Sequence, residues 1–116
     1  MAINQAVVCG NLTKDAQGRK VGDSIIVNFT VAVNEPYKDG DEWKTKPHYI
    51  GCVMFGARAE KLKPYLTKGV RVTVSGSLRY SEWMKDDEKR SRIEILVRDL
   101  EFMSRKDDSK DEVIPF

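Results

Sequence analysis

Residues 24–34 read SIIVNFTVAVN, with Ile25, Val27, Phe29, Val31 and Val33 at alternate positions against Asn28, Thr30 and Asn34. Successive side chains of a β-strand point to opposite faces, so this period of two describes a strand buried on one side and polar on the other. The alternation recurs in GVRVTVSGSLR (69–79), where Val70, Val72 and Val74 oppose Arg71, Thr73 and Ser75. In SRIEILVRD (91–99), Ile93, Ile95 and Val97 oppose Arg92, Glu94 and Arg98. INQAVVCGNL (3–12) and HYIGCVMFG (48–56) bring the strand candidates to five.

One segment departs from this period. ARAEKLKPYL (57–66) spaces Ala59, Leu62 and Tyr65 or Leu66 as a helix does, and Gly69 just beyond is suited to ending one. Pro64 removes a backbone donor and clashes with the preceding turn, so a short, kinked helix is expected, with Tyr65 in the core. KDAQGRKVGD (14–23), NEPYKDGDEWKTKP (34–47) and YSEWMKDDEKRS (80–91) read as polar connections, the second around an Asp39–Gly40 turn signal. The order is β-β-β-α-β-β. An all-β chain of five strands, with one helix between the third and fourth, predicts a five-stranded OB-fold barrel, whose sheet face and loops bind oligonucleotides or oligosaccharides.

With 116 residues, 41% hydrophobic and 33% charged, the chain has the composition of one water-soluble domain. We place that domain at 1–103 and a short flexible tail at 104–116. No stretch approaches the roughly 20 apolar residues of a membrane helix, and MAINQAVVCGNLTKD lacks a signal-peptide pattern, so no membrane association and a cytoplasmic location are expected. Cys9 and Cys52 sit in apolar runs and are expected to stay reduced. Residues 1–103 hold 17 Lys and Arg against 14 Asp and Glu, while 104–116 hold three against four. So weak a basic bias does not by itself indicate nucleic acid.

The placement of aromatic and basic residues says more. Single-strand binding on this fold needs aromatic platforms for base stacking beside cations for phosphate. Tyr37, Trp43, Tyr49, Phe55, Tyr80 and Trp83 fall in or beside the second to fifth strands, interleaved with Lys38, Arg71, Arg79, Lys85 and further lysines and arginines. Trp43 and Trp83 stand in polar surroundings, DEWKT and SEWMK, as exposed platforms or as amphipathic caps on the barrel. Phe55, in the apolar run VMFG, fits core packing as well as stacking.

The acidic groups Asp39, Asp41, Glu42 and Asp86, Asp87, Glu88 lie at hairpin tips beside lysines, where charge is the default. His48 is the lone histidine, the cysteine spacing matches no zinc pattern, and no glycine-rich phosphate loop is present. Neither enzyme activity, nor a metal, nor a cofactor is expected.

NQAVVCGNLTKD, VNFTVAVNEPYKD, VMFGARAEKLKPYLTKGVRVTVSGSLRYSEW and the ending DEVIPF together resemble the single-stranded DNA-binding proteins of bacteria and their phages. The resemblance runs from about Asn4 to Met103 and resumes at the last six residues. It implies an OB-fold homo-oligomer, a tetramer rather than a dimer, that wraps single-stranded DNA without reading sequence during replication, recombination and repair. It further implies that Tyr37, Tyr49, Phe55 and Trp83 stack on bases, and that Asp111, Glu112, Val113, Ile114, Pro115 and Phe116 dock onto replication and recombination proteins. The short tail resembles a phage version more than a host one. The alternatives are an RNA-binding or primosomal accessory OB protein, or an interaction module whose barrel serves oligomerisation.

Overall fold

The computed structural model describes residues 2–103. The expected tail, 104–116, and its tip Asp111–Phe116 lie outside the described residues. The chain forms β1 (Ala6–Leu12), β2 (Gln17–Val21), β3 (Ser24–Asp39), β4 (Glu42–Phe55), α1 (Gly56–Leu62), a 3-10 turn (Lys63–Tyr65), β5 (Arg71–Lys85) and β6 (Glu88–Phe102). The sheet order is β1-β5-β6-β4-β3-β2, and β1 pairs with β3 as well as β5. Five strands therefore form a ring, with β2 hung on its outside, and the helix falls between β4 and β5. This is the OB-fold arrangement expected from the alternation.

The ring closes where β1 leaves Arg71 of β5 and takes up Ala32 and Val31 of β3, at Asn11 and Leu12. Gly10 makes that handover feasible: a Cβ there would lie 2.2 Å from the Ala32 carbonyl oxygen. Inside the ring, Val27, Phe29 and Val31 of β3 meet Cys52 and Met54 of β4, Val72 and Val74 of β5, and Ile95, Val97 and Leu100 of β6. Ala59 and Leu62 of α1, with Leu66, plug one end. The kink expected at Pro64 is the change from α-helix to 3-10 turn.

Several expectations need correction. The stretch 14–23 is not only a connection: Gln17–Val21 is a sixth strand, paired with β3 through a turn at Gly22 (φ 62°). Every one of its residues is exposed, so it carries no contrast of faces for a sequence to display. The stretches 34–47 and 80–91 are strand as well. β3 and β4 stay paired out to Asp39 and Glu42, and β5 and β6 out to Lys85 and Glu88, so each loop shrinks to two residues. The second turn places Asp86 (φ 53°) and Asp87 (φ 66°) in the left-handed region, which short polar side chains tolerate and which matches the twist of a hairpin. Trp43 and Trp83 thus stand on two-stranded ribbons, not in loops. Tyr65, expected in the core, is exposed on one side and packs edge-on against Phe102, ring centres 6.2 Å apart. Ile93, expected inside, is 62% exposed because β6 has left the core by that point, and Glu94, expected outside, is 7% exposed.

Candidate nucleic-acid interface

The β3–β4 ladder keeps one register along its whole length, so alternation assigns its faces. Cys52 and Met54 point into the core, which turns Trp43, Tyr49, Gly51, Val53 and Phe55 outward. Opposite them stand Lys38 beside Trp43, Ala32 beside Tyr49, Thr30 beside Gly51 and Asn28 beside Val53. On the other ribbon, Arg79, Ser81, Trp83 and Lys85 pair with Glu94, Arg92, Arg90 and Glu88. The parallel pairing of Val53 with Leu96 sets the two outer faces side by side. One sheet surface therefore carries Lys38, Trp43, Tyr49, Phe55, Arg79, Trp83 and Lys85, seven of the ten residues expected from the sequence.

The rings on this surface are presented rather than packed away. Phe55 is 42% exposed, Trp83 41% and Tyr49 66%, which settles Phe55 as a surface ring and excludes a barrel-cap role for Trp83 buried in the core. Two of the rings already hold a cation. The guanidinium carbon of Arg79 lies 5.5 Å from the Phe55 ring centre, and that of Arg92 lies 5.3 Å from the Trp83 ring centre, within cation–π range. Among the described residues, Lys38, Arg79 and Lys85 form no ion pair, so their charge is not spent on a carboxylate. Lys44, by contrast, is engaged with Asp39 at 2.9 Å near the ribbon tip.

Three expected residues lie elsewhere. Tyr37 pairs with Lys44 on the opposite face of the β3–β4 ribbon. Tyr80 pairs with Ile93 on the opposite face of the β5–β6 ribbon, where its hydroxyl donates to Glu82 Oε1 at 2.9 Å. Arg71 opens β5 on the far side of the Ser75/Gly76 irregularity, paired with Asn11 of β1 and next to Cys9.

Arg92 and Glu94 belong to this surface and were not anticipated. Arg92 Nε lies 3.5 Å from Glu94 Oε2, and the carboxylate is nearly buried while the arginine is largely exposed. Gly51 on β4 lies alongside Glu94: a Cβ on it would meet the Glu94 Cβ at 3.7 Å, an ordinary van der Waals contact. Local alternation, which sets Glu94 outward, carried no signal of its burial. The two thiols diverge. Hydrogen bonding to Thr73, with help from Arg71, holds Cys9 below its ordinary range against the opposing effect of burial, whereas burial, reinforced by the Glu94 charge, pushes Cys52 up to about 12. Both are free, as expected. Among the described residues no helix is long and apolar enough to cross a membrane.

A family profile described as "Single-strand binding protein family" matches residues 3–103. A single-stranded DNA-binding protein of Borreliella burgdorferi is 40% identical over 105 residues, covering 88% of this chain and 70% of its own. One from Treponema pallidum is 32% identical over 102 residues, covering 87% of this chain, which in turn spans only 58% of that relative. Among solved structures, the Plasmodium falciparum SSB complex with ssDNA is similar with a TM-score of 0.81 at 24% identity, over 90% of this chain and 97% of that one. Both of these sequence relatives are bacterial, so the expected phage origin finds no support.

Proposed function

Because the chain belongs to the single-strand binding protein family, we propose that its outer β3–β4–β6–β5 surface binds single-stranded DNA. The observation that carries this reading is the pairing of exposed rings with cations on one face: Phe55 with Arg79, which forms no ion pair among the described residues, and Trp83 with Arg92, with exposed Tyr49 on the same face. Every base offers a π face and every nucleotide a phosphate, so stacking and charge bind without a sequence code. Tyr37, Tyr80 and Arg71, off this face, serve a strand only where it wraps around a ribbon edge. The proposed work of the protein is to coat and protect single strands during replication, recombination and repair, with no catalysis of its own.

Two further parts complete the reading. The protein assembles as a homo-oligomer, a tetramer in preference to a dimer. Exposed Ile3 and Val7 support this, since they give the β1 segment an apolar outer side. The tip Asp111–Phe116 recruits replication and recombination proteins, its apolar residues filling a partner's pocket and its carboxylates meeting a basic rim. Deleting it should abolish partner capture and leave DNA affinity unchanged; capture that survives the deletion contradicts the tip's role.

Competition among oligo-dT, RNA of the same length and duplex DNA, followed by fluorescence anisotropy at fixed low salt, tests the binding itself. Single-stranded DNA should win by a wide margin. Preference for RNA would favour an accessory RNA-binding role, and no binding to any of them would overturn the reading.

A further inference from the structure

Beside Gly51 lies a cavity of about 160 Å³, lined among others by Lys14, Asn28, Thr30, Gly51, Arg92 and Glu94. Gly51 carries no side chain, so the row that runs from Thr30 on β3 across β4 to Glu94 on β6 is low at that point. Glu94 is 7% exposed and lies 3.5 Å from Arg92 Nε, so its charge is taken up within the wall. Lys14 enters from the β1–β2 connection and forms no ion pair among the described residues. The side chains of Asn28 and Thr30, and the terminal nitrogens of Arg92, make no hydrogen bond among the described residues either. The two cations against one carboxylate leave a positive excess, and an ammonium, a guanidinium, an amide and a hydroxyl converge with donors to spare. Arg92 also ties the cavity to a stacking platform, since its guanidinium carbon lies 5.3 Å from the Trp83 ring centre.

We propose that this cavity seats one phosphate of the bound single strand, gripped by Lys14 from one side and Arg92 from the other. A phosphodiester carries one negative charge and its free oxygens only accept hydrogen bonds, which matches both the excess charge and the donor set. Arginine offers such oxygens a planar fork and lysine a point charge. Because Arg92 lies over the Trp83 ring as well, the seated phosphate belongs to a nucleotide at or next to the base stacked there. From that point the backbone passes over Gly51 towards Lys14, beyond the four strands of the proposed interface. Every nucleotide has a phosphate, so the seat reads no sequence. The inference rests on the proposed single-strand binding and adds to it an anchoring point and a path across the sheet.

The test measures dT15 affinity by anisotropy over a salt series for the wild type, Lys14→Gln, Lys14→Arg, Arg92→Gln and the double Gln variant. Lys14→Gln should weaken binding about three- to tenfold at low salt, and Lys14→Arg should restore most of it. On a single strand each neutralised phosphate adds about 0.7 to the slope of log affinity against log salt. Since both cations hold one phosphate, the double variant should lose about 0.7 of slope, not the roughly 1.4 of two separate contacts, and its affinity loss should be smaller than the two single losses multiplied. Lys14 is exposed, so its arm stands even where Arg92→Gln, which strips Glu94 of its partner, folds poorly. A Lys14→Gln variant with wild-type affinity and slope overturns the seat; it is the result expected of a cavity that holds free inorganic phosphate or nothing. So does a double variant whose losses multiply in full, which would put Lys14 and Arg92 on different phosphates. Failure of the wild type to bind dT15 at all would instead overturn the single-strand reading beneath it.

Discussion

Phe55 and Trp83 each have an arginine on one ring face before any base arrives. At an exposed site such a contact is worth about 0.5–1 kcal/mol, less than the roughly 1–3 kcal/mol of a base stacked on an aromatic ring. A base can therefore displace the guanidinium or take the free face, and the cation stays within reach of the phosphate. Trp83→Ala should weaken binding to every oligonucleotide alike, by about 1–3 kcal/mol in anisotropy titrations; an unchanged affinity would return Trp83 to a purely structural role. The thiols offer a second check at this scale. The thiolate is the reactive form, so Cys9, held low by Thr73, should react with an aromatic disulfide reagent in the folded protein near pH 8. Cys52, raised to about 12, should react only on unfolding. Because the folded pKa of Cys52 lies above the ordinary 9.0, its contribution to stability is whole below pH 9 and is lost as pH rises towards 12. Two thiols of equal reactivity in the native state would contradict this.

The elements differ in how clearly a sequence announces them, and the difference is physical. Residues 24–34 are legible because β3 there has one face in the core and one in solvent, so burial writes the alternation into the residue types. Beyond Asn34 the same strand, like β2 and the outer halves of β4, β5 and β6, is exposed on both faces. With no contrast to record, these ribbons look like polar loops. The candidate site was legible in its parts, rings and cations, but not in its grouping. Tyr37 and Trp43 look equivalent in sequence, and only the Tyr37–Lys44 register separates them. Glu94 was misplaced because it lies where β4 pairs in parallel with β6, Cys52 beside Ile95, a tertiary fact that local periodicity cannot contain. Gly10, at the ring's closure, gives a test at this scale. Gly10→Ala would force a Cβ against the Ala32 carbonyl, and overpacking of this kind costs about 1–3 kcal/mol. Urea unfolding should show that loss, and a midpoint equal to the wild type would mean the closure has slack.

For the whole molecule, the two ribbons extend one face of the ring into a broad candidate binding surface. Oligomerisation would multiply that surface and lengthen the strand each assembly engages. Light scattering after size-exclusion chromatography should give about four times the 13.2 kDa chain mass; the mass of a single chain would contradict the proposed assembly. The central claim is narrower, that single-stranded DNA lies on the face bearing Phe55, Arg79 and Trp83. The chain has two tryptophans, so Trp43→Phe leaves Trp83 as the only indole reporter. Titrating that variant with dT15 at low salt should quench its fluorescence in step with binding. Binding without any change in the Trp83 signal, or no binding at all, would contradict the account.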